Sequence, residues 1–217
     1  KGEIEYLKLE EGKTPNKIWN FYELPKSQEI WTRVKGKGVY RLKFNTPDKL
    51  NPKKFTVTKF DTSDGLPIGS LYTITPFEFN DEILFGTENG IYRFDKSLDK
   101  FVLDERFSKL PGYKNKKVKY SAKGPKKDYW VVFLDRSEGF RNIEFYRISE
   151  NFNLSKIELG KLRNFSDIKF NFYKNNVLLS GSLGVAIFPE NLNPVSSSGR
   201  VLINQITEKS RSIYDHA

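Results

Sequence analysis

The segment Lys114–Lys127 holds the densest concentration of chemically useful side chains in the sequence. It carries Lys114, Lys116, Lys117, Lys119, Lys123, Lys126 and Lys127, with Tyr113, Tyr120 and Tyr129 set among them. Cations beside aromatic faces can hold a sulfated or carboxylated sugar by charge and by stacking. The same composition also suits a solvated loop and an edge strand, where lysines discourage unwanted strand pairing. A second cluster is Trp31, Arg33, Lys35 and Lys37. In an extended strand Trp31, Arg33 and Lys35 share one face. If that face lines a boundary between sheets, Trp31 is core and Arg33 is a partnered interior group. Trp19 and Trp130 read the same way, as packing residues. The run Lys35–Gly38 (KGKG) reads as a Lys-rich hairpin turn rather than a phosphate cradle.

Little else in the chain could carry catalysis. The one histidine, His216, sits next to the C-terminal residue, and there is no cysteine. Transition-metal sites draw on those two residue types, so neither a metal nor a cofactor is expected. Adjacent carboxylates occur at Glu10-Glu11 and Asp104-Glu105, but adjacency alone does not make an acid–base pair. Neither G-x-x-x-x-G-K-[ST] nor a strand–GxGxxG–helix signature occurs. Binding is therefore expected rather than chemistry.

The net charge is +10, from 37 basic and 27 acidic residues, with a pI near 9.5. An anionic partner is one reading; a lysine-rich composition spread over solvated faces is the other. Lysine, a flexible point charge, outnumbers arginine, which is better suited to bidentate phosphate or base recognition. Nucleic acid is therefore not expected as a partner, and an anionic glycan is.

The elements that must position these groups announce themselves by repetition. Glu29–Phe44 reads EIWTRVKGKGVYRLKF and Glu82–Lys96 reads EILFGTENGIYRFDK. A looser copy spans Asp128–Glu150 and a short one spans Asn176–Glu190. Each is an apolar strand, a polar or Gly-containing turn and a second strand. Their centres, Trp31, Leu84, Trp130 and Leu179, lie 53, 46 and 49 residues apart. A period of about 40–50 residues marks β-propeller blades.

Alternation and aromatic or β-branched content predict strands at 17–24, 29–35, 38–44 and 54–60. The next repeats give 70–78, 82–87, 90–95 and 100–106, then 117–122, 128–135, 142–148 and 153–159. The last gives 167–174, 176–181, 184–189 and 200–207, and a further strand covers 3–10. Four strands per repeat is what a propeller blade requires. Gly38, Gly90 and Gly184 each begin a third strand, where a tight hairpin wants positive φ. No stretch shows a capped helical stripe, so helix should be minimal.

The expected fold is thus all-β: about four propeller blades of four antiparallel strands, forming part of a larger propeller. Residues 1–12 supply the outer strand of a preceding or closing blade. The blades span 13–62, 63–110, 111–164 and 165–207. Residues 200–207 either finish the fourth blade or open a following β-sandwich, with 193–217 as the exit. With no methionine and no apolar leader, the chain reads as a piece of a longer protein. No apolar run approaches the roughly 18 residues that cross a bilayer, so any membrane tie would run through the parent protein.

Residues 64–95, DGLPIGSLYTITPFEFNDEILFGTENGIYRFD, resemble the two-component regulator propeller repeat. The Asp-Gly-Leu-Pro opening, the Gly-Thr pair and the Asn-Gly-Ile-Tyr-Arg-Phe run all match its pattern. The first blade departs from it, with Thr32-Arg33 in place of Gly-Thr. The third lacks both the Gly-Thr and the Asn-Gly, and the fourth has Ala186 in place of Tyr. The resemblance implies a periplasmic or extracellular sensor region of a hybrid histidine kinase, often tuned to glycans. It also implies that further blades or a second chain cover the terminal sheets.

The resulting expectation is a non-catalytic sensory module that binds an acidic oligosaccharide. The residues expected to bind are Lys114, Lys116, Lys117, Lys119, Tyr120, Lys126, Lys127, Arg33, Lys35 and Lys37. A protein-docking scaffold and a glycan-active propeller enzyme are the alternatives. Association through one face without a small ligand would mark the first; turnover on a polysaccharide would mark the second.

Overall fold

A computed structural model describes residues 18–24, 27–44, 55–135, 142–158, 168–182 and 184–191. The strands expected at 3–10 and 200–207, the exit at 193–217, the Trp19 side chain and His216 lie outside them.

The described chain is all-β. The first sheet comprises β1 (Ile18–Leu24), β2 (Glu29–Val34), β3 (Gly38–Phe44) and β4 (Phe55–Phe60). The second comprises β5 (Thr75–Phe79), β6 (Glu82–Thr87), β7 (Gly90–Asp95) and β8 (Lys100–Leu103). The third comprises β9 (Lys116–Lys123), β10 (Asp128–Asp135), β11 (Asn142–Ser149) and β12 (Leu154–Ile157). The fourth shows β13 (Lys169–Tyr173), β14 (Asn176–Gly181) and β15 (Gly184–Pro189). Every sheet is an antiparallel meander in chain order. The first strand of each sheet lies inside, with β5 touching β1 and β9, and β9 touching β13.

Local chemistry explains the hairpins. At Gly38, φ is +123°, and a Cβ there would stand 2.1 Å from the Phe60 carbonyl oxygen. Only glycine fits. In the second blade the Gly-Thr pair has two separate jobs. A Cβ on Gly86 would lie 2.5 Å from the Cβ of Val118 in the next blade, so glycine lets the two sheets approach. The Thr87 hydroxyl donates to the Gly90 carbonyl (2.8 Å) and accepts from the Asn89 N–H (3.0 Å), which closes the β6–β7 turn.

Two predicted strands, 70–78 and 100–106, include residues that turn out of the sheet. Residues 70–78 begin as a 3-10 turn at Ser70–Tyr72, and the strand starts only at Thr75. Residues 100–106 leave the sheet after Leu103 and turn at Glu105–Phe107. Both segments carry the chain from an outer strand to the inner strand of the next blade, and a straight strand cannot make that crossing. Their apolar residues pack under the turns, with Ile74 and Phe107 fully buried.

Apolar side chains on the sheet faces fill the spaces between blades. Trp31, Phe60, Phe85 and Phe101 form the cluster between the first and second sheets. Phe77, Phe79, Val118, Tyr129 and Phe133 join the second to the third. Trp130, Phe170, Leu179 and Phe188 join the third to the fourth. Trp31 and Trp130 are thus core, at 2% and 1% exposure, as expected for packing residues.

Candidate functional site

Strand direction divides the basic residues between two ends of the molecule. β9 runs eight residues, about 23 Å at roughly 3.3 Å per residue. Lys114, Lys116 and Lys117 lie at its start, and Lys126 and Lys127 lie in the turn beyond its finish. The segment Lys114–Lys127 is therefore not one patch. Lys126 pairs with Glu190 at 3.5 Å.

Lys116 departs most sharply from expectation. It is 3% exposed, and its ammonium is held by Asp135 at 2.9 Å and by Glu144. Burial pulls its pKa down, but the hydrogen bonds and charges of Glu144 and Asp135 outweigh that and leave it raised. This lysine is a structural cation, buried and engaged by two carboxylates, and does not offer its charge to a ligand in solvent.

The start of β9 meets the other cluster. Burial lowers the Lys117 pKa, Glu88 opposes the shift, and the positive charges of Lys119 and Arg33 add to it. Arg33, of the first blade, and Lys117 and Lys119, of the third, thus share one electrostatic neighbourhood. Arg33 is buried, donates to the Tyr72 carbonyl at 2.9 Å, and has its pKa lowered by desolvation. Lys119 is the extra residue of a β-bulge, since Val132 pairs with Tyr120 and Phe133 with Val118. A bulge re-aims a side chain, and Lys119 is exposed. Lys35 is exposed in the β2–β3 turn beside half-buried Lys37. Half-buried Tyr120, its pKa raised by burial, has its ring tilted against that of Phe170, with centroids 6.1 Å apart. Exposed Lys114 lies 5.9 Å from the Tyr113 ring.

The opposite end holds a cavity that the sequence reading missed. Its volume is about 440 Å³, and it opens between the first two blades. Four carboxylates line it: Glu29, Glu78, Asp81 and Glu82. Ser27, the cations Arg93 and Lys96 and the apolar groups of Trp31, Ile83 and Phe94 complete the wall. Several of these charges are already paired. Glu82 meets Arg106 at 2.6 Å, Glu78 meets Lys123 at 3.4 Å, and Arg93 meets Asp95 at 3.0 Å. A signal for this site did exist in the sequence. An acid opens the second strand of three repeats (Glu29, Glu82, Asp128), and an arginine recurs in the third strand (Arg41, Arg93, Arg147). Among the described residues no group of three His, Cys, Asp or Glu side chains could hold a metal ion.

Stacked four-stranded meanders around inner strands define the class as a β-propeller segment. No protein-family model matches the sequence, and no curated protein is similar to it. Solved structures are similar. One is the extracellular domain of BT4673 from B. thetaiotaomicron, described as a one component system, with TM-score 0.54 and 18% identity over 85% of this chain. A second structure of that extracellular domain, described as a hybrid two component system, matches 80% of the chain with TM-score 0.52 and 16% identity. A third is regucalcin, a calcium-binding protein from Agrobacterium tumefaciens, with TM-score 0.50 and 15% identity over 87% of the chain and 60% of its own. The chain spans 22% of either BT4673 domain. At these identities the likeness shows the propeller fold. No helix among the described residues is long and apolar enough to cross a membrane.

Proposed function

We propose that the chain is part of the non-catalytic sensory propeller of an extracellular or periplasmic two-component regulator, and that it binds an acidic oligosaccharide. The ligand would lie at the end where the β2–β3 turn meets the start of β9. The observation that supports this reading is that Arg33, from the first blade, and Lys119 both add positive charge at half-buried Lys117, which Glu88 meets at 4.0 Å. A surface that stays net positive around that one carboxylate favours a further anion. Lys35 and Lys37 extend the basic surface along the turn, and Lys114 extends it beside Tyr113. Lys126 and Lys127 lie at the far end and take no part. Binding would bias the placement of this propeller against the domains beyond it, and so a kinase across the membrane. Further blades or a second chain would cover the terminal sheets.

Calorimetry with uronate and heparin-type oligosaccharides at modest salt tests this directly. Heat that falls steeply with added salt, and that disappears in the Lys35→Gln, Lys119→Gln double variant, is the expected result. A silent titration, or one that the double variant leaves intact, defeats the proposal.

A further inference from the structure

Three blades place an acid at the first position of their second strand, and they treat it differently. In the third blade, Asp128 is 4% exposed and is paired with Arg147 from across the β10–β11 ladder. In the second, Glu82 is paired with Arg106. In the first, Glu29 is 5% exposed and meets no cation among the described residues. Among the described residues its side chain accepts one bond, from the Trp31 indole N–H, which reaches Oε2 at a long 3.3 Å. An ionised carboxylate offers about four acceptor sites. The arginine that could have served it, Arg41, stands opposite Trp31 in the β2–β3 ladder. Its guanidinium lies instead over the rings of Phe94 (5.0 Å), Phe60 (5.1 Å) and Trp31 (5.6 Å).

Glu29 also lines the 440 Å³ cavity, a volume within the roughly 300–1,000 Å³ range of small-molecule sites. Oε2 of Glu29 takes the indole bond, and Oε1 is not a buried atom left without a partner, so the carboxylate is open to a donor that enters the cavity. We infer that the cavity between the first two blades binds a small organic cation, a guanidinium or primary ammonium on a short apolar stem. Its charged head sits against Glu29, where the other blades keep an arginine. Its stem lies along Trp31, Ile83 and Phe94. Asp81 is a further carboxylate of the lining, while Glu78 is paired with Lys123 and Arg93 with Asp95, which leaves the Glu29 carboxylate to meet the cationic head. The site lies at the opposite end of β2 from Arg33, and its test is independent of the oligosaccharide proposal.

The experiment titrates the 217-residue chain with n-butylguanidine, n-butylamine and neutral 1-butanol, following the Trp31 indole N–H resonance by NMR. Both cations should move that resonance saturably while 1-butanol leaves it in place, and Glu29→Gln should weaken cation binding at least tenfold with its thermal midpoint kept. If Glu29→Gln does not fold, the wild-type comparison of cation against alcohol decides. No shift with cations, an equal shift with 1-butanol, or full binding by a folded Glu29→Gln overturns the inference.

Discussion

The boundary between blades one and two and the boundary between blades two and three are built from the same parts and finish differently. Both bury aromatic rings from facing sheets. At the second boundary the packing continues to the end. The Tyr129 ring is tilted against that of Phe79 with centroids 4.4 Å apart, and Phe152 and Phe107 close over them. The Asn80 N–H donates to the Tyr129 hydroxyl, and the Asn80 amide donates to the Glu150 carbonyl, both at 2.8 Å. At the first boundary the residue matching Tyr129 is Ile83, which is shorter and carries no hydroxyl. The β7–β8 turn offers Lys96 to the cavity wall and leaves Leu98 60% exposed, where the β11–β12 turn supplies Phe152. Interior packing therefore holds the blades together at both places. The turn residues decide whether the end is plugged or left as a cavity.

This contrast can be broken most forcefully at the plugged boundary. Phe79→Ala removes a fully buried ring and should cost about 3–5 kcal/mol in chemical denaturation, whereas Ile83→Ala, beside existing empty space, should cost about 2 kcal/mol. Equal losses would mean that the two boundaries are not differently packed. Gly86→Ala drives a methyl group into Val118 and should cost about 1–3 kcal/mol by the same measurement.

Alkaline pH acts on the plugged side as well. Burial, and then the hydrogen bond to Glu105, push the Tyr113 hydroxyl up to about 12. A raised folded-state pKa stabilises fully below the unfolded value near 10 and is lost as pH climbs from there toward 12. Thermal midpoints should therefore fall across that interval, and fall less in Tyr113→Phe. The mildest change sharpens the contrast instead. Ile83→Tyr carries the residue of the closed boundary into the open one, and should change stability by less than about 1.5 kcal/mol while filling the cavity and abolishing butylguanidine binding.

The strands were legible because their signals are local. Alternation and hairpin glycines place β2, β3, β6, β7, β10, β14 and β15 to within a residue. The inner strand β5 was misjudged because Ser-Leu-Tyr-Thr-Ile-Thr alternates like a strand while the chain is crossing between blades, and the end of β8 because the apolar run before Asp104 was carried on into the turn. Reading Lys114–Lys127 as one patch failed for a related reason. Closeness in sequence along an extended strand is distance in space, and that distance separates Lys117 from Lys126.

Repeat length, hairpin chemistry and aromatic content by themselves determined a chain of meander sheets. Each of those features acts within a few residues or recurs at a fixed interval. Tertiary structure alone decided that Lys116 is an internal counter-ion, that Arg33 of one blade adds its charge at Lys117 of another and that Glu29 borders a cavity. Those outcomes depend on which side chains of one sheet meet the next, and no spacing within a single repeat encodes that meeting.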